Sequence, residues 1–137
     1  MDSGTWIDLL DLAGYRTARG ATSAEFEHAE DALVISLPES LRALYAHSDG
    51  VYSETGEWWV IWPLKQLVEN NASVGQAAWS RLGLIAFGDN GAGERFCVSA
   101  SDPLDVHCWD AIDGDAHLLA PDVRTFWLGW VAGTITT

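Results

Sequence analysis

The residues most open to a chemical reading lie between Gly88 and Glu94, in the run Gly-Asp-Asn-Gly-Ala-Gly-Glu. A phosphate cradle needs the lysine and hydroxyl of G-x-x-x-x-G-K-[ST], which are missing. Gly88, Gly91 and Gly93 also fail to make G-x-G-x-x-G. The acids of the run would repel a phosphate. They offer oxygen ligands to calcium, but not at EF-hand spacing. What the composition supports is a tight turn joining two strands, Leu84–Phe87 and Arg95–Val98, with Asp89 and Glu94 at its rim. The histidines at 28, 47, 107 and 117 form no H-E-x-x-H and no zinc spacing with Cys97 and Cys108. His107 and Cys108 are adjacent, so a strand points them to opposite faces, which is poor geometry for a nucleophilic pair. There is no G-x-S-x-G elbow. Carboxylates crowd two segments, Glu25 to Asp31 and Asp102 to Asp115, but in so acidic a chain they coincide by composition alone. The expectation is a domain with no catalytic residue, no cofactor and no metal.

The acidity is itself informative. Twenty Asp and Glu against seven Lys and Arg give a formal charge of −13. The excess is not a tail, since residues 1–57 carry 11 acids and 3 bases and residues 58–137 carry 9 and 4. Such a surface disfavours nucleic acid and anionic membranes, and the seven basic residues form no patch. It serves solubility, or it attracts a basic protein partner. Eight tryptophans, at 6, 58, 59, 62, 79, 109, 127 and 130, supply contact area for a core and for an interface.

The elements that position these residues fit one domain of 137 residues. At 48% apolar residues it has material for a core without metal or disulfides. No apolar stretch approaches the ~18 residues of a membrane span. Met1-Asp2-Ser3-Gly4 does not open a secretory signal, so the cytoplasm is the expected compartment. Cys97 and Cys108 are placed where they face each other across neighbouring strands or stay as reduced, partly buried thiols. Thr5 and Asp8 cap a short opening helix that Gly14 stops, and residues 16–21 read as a connector. Thr22-Ser23-Ala24-Glu25 is a capping box, starting a helix with Phe26, Ala29 and Leu33 on one face. Pro38 suits the first turn of the next helix, to about residue 47, which Asp49-Gly50 ends. A strand over Trp58–Trp62 precedes a short helix with Leu64, Leu67 and Val68, ended by Asn70-Asn71. Residues 72–81 read as a loop or a helical turn. Strands then include Asp105–Trp109, a turn at Asp113-Gly114 follows, and a last helix, about 122–132, repeats Val123, Phe126, Trp127, Trp130 and Val131 on one face. The fold class is α+β: a single domain with an antiparallel sheet of about four to six strands packed against helices from both chain ends. Leu37, Pro38, Leu44, Tyr45, Phe87, Phe126, Trp127 and Trp130 are its expected core.

Four segments, in order, resemble the SUKH superfamily, which contains the fungal Smi/Knr-like proteins and many bacterial immunity proteins. They are Ala29 to Leu33 (AEDAL) leading to Leu37 to Gly50 (LPESLRALYAHSDG), Trp62 to Leu67 (WPLKQL), Ile85 to Val98 (IAFGDNGAGERFCV) and the final aromatic helix. The resemblance divides the chain into an N-terminal helix and connector (1–21), a SUKH-like domain (22–132) and a C-terminal tail (133–137). It implies a non-catalytic domain that binds a protein, with no small-molecule substrate. In an immunity protein that partner is a toxin, many of them nucleases with a basic site that an acidic surface complements. The alternative is a regulatory or scaffolding module without a toxin. The residues this reading selects for the partner are Asp49, Glu54, Glu57, Trp58, Trp59, Asp89 and Glu94. Of the two adjacent tryptophans, one is expected in the core and the other available as an anchor.

Overall fold

The computed structural model describes residues 9–10, 12–33, 36–72, 83–99 and 105–135. Seven strands form one antiparallel sheet whose spatial order is the chain order: β1 (Tyr15–Thr17), β2 (Val51–Ser53), β3 (Trp58–Ile61), β4 (Leu84–Asp89), β5 (Arg95–Ser99), β6 (Val106–Trp109) and β7 (Ala116–Ala120). Among the described residues the fully described helices are α1 (Ser23–Leu33), α2 (Glu39–His47), α3 (Leu64–Ala72) and α4 (Val123–Ala132). α1 packs on α3, α2 touches both α1 and α4, α3 rests on β4, and α4 lies against β7. The mixed layers and antiparallel sheet are those expected. The expected count of four to six strands is corrected to seven, because β1 and β2 are three residues long and too short to show alternation. β1 also places part of the supposed connector, Arg16 and Thr17, in the sheet.

Local chemistry sets the helix ends. The capping box is reciprocal: the Thr22 hydroxyl accepts from the Glu25 amide at 3.1 Å and the Glu25 carboxylate accepts from the Thr22 amide at 2.8 Å. The backbone amide of Thr22, helped by Arg19, holds the Glu25 carboxyl below its usual range. This contribution is complete at neutral pH and fades as Glu25 protonates in acid. Pro38 caps α2, and Asp122 caps α4 by accepting from the Thr125 amide at 2.7 Å. Between α1 and α2, Glu30 accepts from the Leu37 amide at 2.7 Å and from Arg42 at 3.1 Å, while the Arg42 guanidinium sits 4.6 Å from the centre of the Phe26 ring.

The core lies between sheet and helices. Leu37, Pro38, Leu44, Tyr45, Phe87, Phe126 and Trp127 are buried as expected, and Trp130 is half-buried. Phe126 meets the rings of Phe87 and Phe96 at 5.9 and 4.6 Å. The Trp127 indole donates to the Leu9 carbonyl at 2.7 Å, tying the two ends of the chain together. Of the opening helix expected from Thr5, Leu9 and Leu10 are described and are helical, while residues 1–8 and most of the segment 72–81 lie outside the described residues.

Asn70-Asn71 does not end α3, which continues to Ala72. β3 meets β4 only at Ile61 and Gly88, so Ala86 has lost its strand neighbour on that side. The Asn71 side chain takes that neighbour's place: Oδ1 accepts from the Ala86 amide at 3.0 Å and Nδ2 donates to the Ala86 carbonyl at 2.7 Å. An asparagine carries both groups a strand edge needs. Asn71→Ala leaves this buried pair unmet and should cost about 1–3 kcal/mol. Urea denaturation checks this, with Asn71→Asp, which sets a carboxylate oxygen against the Leu67 and Ala86 carbonyls, expected to cost at least as much as Asn71→Ala.

Candidate protein-binding face at the hairpin end

Because the strands follow one another in space, alternate connections emerge at the same end of the sheet. Three hairpins share that end: 54–57 between β2 and β3, 90–94 between β4 and β5, and 110–115 between β6 and β7. Together with Asp89 they carry Glu54, Glu57, Glu94, Asp110, Asp113 and Asp115; the turns themselves hold no lysine or arginine, while Arg95 stands opposite Asp89 in register. The selection of Glu54, Glu57, Trp58, Asp89 and Glu94 thus falls on one end of the sheet. Trp59 follows on β3. Asp110, Asp113 and Asp115, read only as incidental carboxylates, join them. The signal for them was parity, since every second hairpin of a meander returns to the same end. Asp49 does not join the group. It lies beyond the far end of β2, about 10 Å of strand away.

These acids differ in what they hold. Asp89 accepts from the Trp62 indole at 2.8 Å and the Gly91 amide at 2.7 Å. Asn90 accepts from the amides of Ala92 and Glu94 and donates to the Glu94 carboxylate at 2.7 Å. Asp110 accepts from the Ile112 amide at 2.8 Å. Each is a turn in which a short side chain substitutes for a backbone acceptor. Glu54, Glu57, Asp113 and Asp115 instead project into solvent, with Glu54 3.9 Å from Arg16. Ile112 is 93% exposed at the tip of the third turn.

The two adjacent tryptophans do not divide into core and surface: both are half-buried against the core. Trp58 lies between two turns, and its indole donates to the Asp89 carbonyl at 3.1 Å. A Cβ at Gly56 would stand 1.8 Å from its ring and one at Gly91 3.1 Å. Trp59 stands edge-on to Tyr52, with centroids 5.3 Å apart, and the Arg16 guanidinium covers that tyrosine at 4.8 Å. Ser53 pairs with Trp58 and Tyr52 with Trp59 in unbroken register, so the two rings still take opposite faces and each is covered in part on its own side. The bulge falls beyond them, where Val60 is left over before Ile61.

Asp49 belongs to a knot in the fold. Its carboxylate accepts from the Leu64 amide at 2.7 Å, at the first residue of α3, where helix amides lack partners. The buried Ser48 hydroxyl accepts from the Ala18 amide and donates to the Gly50 carbonyl. Gly50 has φ 97°, and a Cβ there would approach Pro63 N to 2.8 Å.

The cysteines do not face each other. Cys97 pairs with His107 and Cys108 with Phe96, so their side chains lie on opposite faces of the sheet, and both thiols are free. Burial pushes both upward, Cys108 to about 12 and Cys97 further. Among the described residues no cluster of His, Cys, Asp or Glu is arranged to hold a metal. No helix among them is long and apolar enough to cross a membrane.

This is an α+β architecture, a meander backed by helices with its hairpins gathered at one end. Residues 20–128 match the model of the SMI1 / KNR4 family (SUKH-1), and the chain belongs to that family. Its members are non-catalytic binding modules, in a superfamily generally linked to protein binding and toxin immunity. No curated protein matches the chain.

Two outcomes test this geometry. Asp89→Ala strands the indole of the buried Trp62 and should destabilise by about 1–3 kcal/mol, whereas Glu57→Lys, which breaks no such bond, should stay within about 0.5 kcal/mol of wild type. Chemical denaturation of both measures the contrast. Thiols titrating so high are protonated at pH 8, so a disulfide reagent should label neither cysteine in the native protein and both after denaturation.

Proposed function

We propose that this protein neutralises a basic toxin domain by binding it with the hairpin end of its sheet, as a cytoplasmic immunity protein. The observation that carries this reading is the gathering of seven carboxylates, with no lysine or arginine in the turns, on loops held by their own hydrogen bonds. Fixed loops lose little conformational entropy on docking. Projecting acids speed the encounter with a cationic surface and set its salt dependence. A nuclease is the partner chemistry that fits, because its site must be basic to hold phosphates. Asp89, Glu94 and Asp110 hold the turns, while Glu54, Glu57, Asp113 and Asp115 meet the partner's cations. Trp58, Trp59 and Ile112 supply the apolar contact. Asp49 acts at a distance by fixing α3.

Affinity capture from the source organism, with identification of the retained protein, tests this against a Glu54→Lys, Glu57→Lys, Asp113→Lys triple variant. A basic toxin domain held by wild type, with association slowed at least about tenfold in the variant at low salt, is the expected result. Capture of a housekeeping protein would assign the domain to regulation or scaffolding instead. Equal capture and equal kinetics for both forms would remove the hairpin end as the binding face.

A further inference from the structure

The groove between α1 and α3 is a second surface, distinct from the hairpin end. It encloses about 540 Å3 and is lined by Ala24, Ala29, Ala32, Leu64 and Val68, with Glu25, Asp49 and Glu69 against Lys65 and His28 around them. Leu64 and Asp49 place its mouth near the far end of β2, away from the hairpins. We propose that this groove docks a basic amphipathic helix of a protein partner, independently of the face assigned above.

Three features select that occupant. The groove runs between two helices and has room for several side chains inserted from one face of a third. Its walls are two helices whose backbone groups are already paired within themselves, so an extended strand would find no row of donors and acceptors, whereas the side chains of a helix need none. The rim is acidic by three carboxylates to one lysine. The outer surface of α1 adds Glu27 and Asp31, both exposed. An occupant with leucines on one face and lysines or arginines beside them satisfies both the apolar lining and the rim. Two walls already braced, α1 by its capping box and α3 by Asp49, require no rearrangement to receive it.

The test is a titration of the isotope-labelled full chain with a synthetic helical peptide carrying leucines at i, i+3, i+4 and i+7 and lysines elsewhere. A control peptide has serine in place of each leucine. The expected result is amide shifts at Ala24, His28, Ala32, Lys65, Val68 and Glu69, at least tenfold weaker binding of the serine peptide, and at least tenfold loss in both Ala32→Trp, which fills the groove, and Glu69→Lys, which cancels the acidic excess of its rim. Spectral dispersion shows that each variant is folded, and Glu69→Lys, at an exposed position, carries the test if Ala32→Trp does not fold. Shifts confined to the hairpin turns, equal binding of the two peptides, or unchanged affinity in Glu69→Lys would overturn the proposal. Failure here leaves the toxin reading standing, because the triple variant of the hairpin turns is separate from every groove position.

Discussion

The turn Ser48-Asp49-Gly50 is the constraint on which the arrangement rests. Three consecutive residues each make a different long-range attachment. Ser48 holds the strand entry at Ala18, Asp49 completes the first turn of α3, and Gly50 lets the backbone pass where Pro63 leaves no room for a side chain. The Asp49 amide also donates to the Arg19 carbonyl. One short turn therefore fixes β1, β2 and α3 relative to one another. Burial of the Tyr45 hydroxyl, bonded to the Trp62 carbonyl, extends the same junction into the core.

Much of this was readable in the residues. The capping box at Thr22, the proline start of α2, the Asp49-Gly50 stop and the aromatic face of the last helix all follow from chemistry acting over a few residues. They were placed to within a residue or two. What escaped depended on distant parts of the chain. β1 and β2 exist because each pairs with a neighbour, since three residues show no periodicity. Asn71 reads locally as a helix stop and serves instead as a substitute strand edge for Ala86. Trp58 and Trp59 keep their alternation, but each face is partly covered by distant residues, Gly56 and Gly91 against Trp58 and Tyr52 against Trp59, so both are half-buried. The register of β5 against β6 likewise separates two cysteines that spacing alone leaves facing.

The site was legible in part. Acids beside turn residues were visible, but their grouping required the strand order. A meander brings residues 54, 89 and 113 together without any sequence signal linking them. Chemistry also divides acids that composition cannot tell apart: Asp89 and Asp110 are spent on turn geometry, whereas Glu57 and Asp113 are exposed. Glu57 occupies a positive φ of 60° beside the glycine that admits Trp58, so the conformation of that turn is set from beneath it.

The order of the sheet also has a kinetic side. Each strand from β2 onward pairs with one that precedes it in synthesis, and most pairings close short loops, which favours rapid local assembly. The closing contacts are of another kind. Phe87 and Phe96 both meet Phe126, Phe96 also meets Trp130, and Leu9 accepts the indole of Trp127 from 118 residues away. These residues follow the sheet in the chain, so during synthesis a nearly complete sheet precedes them with one aromatic surface bare. The ten-residue α4 is then the step that covers an aggregation-prone surface, and a chain stopped near residue 122 would be left with that surface open.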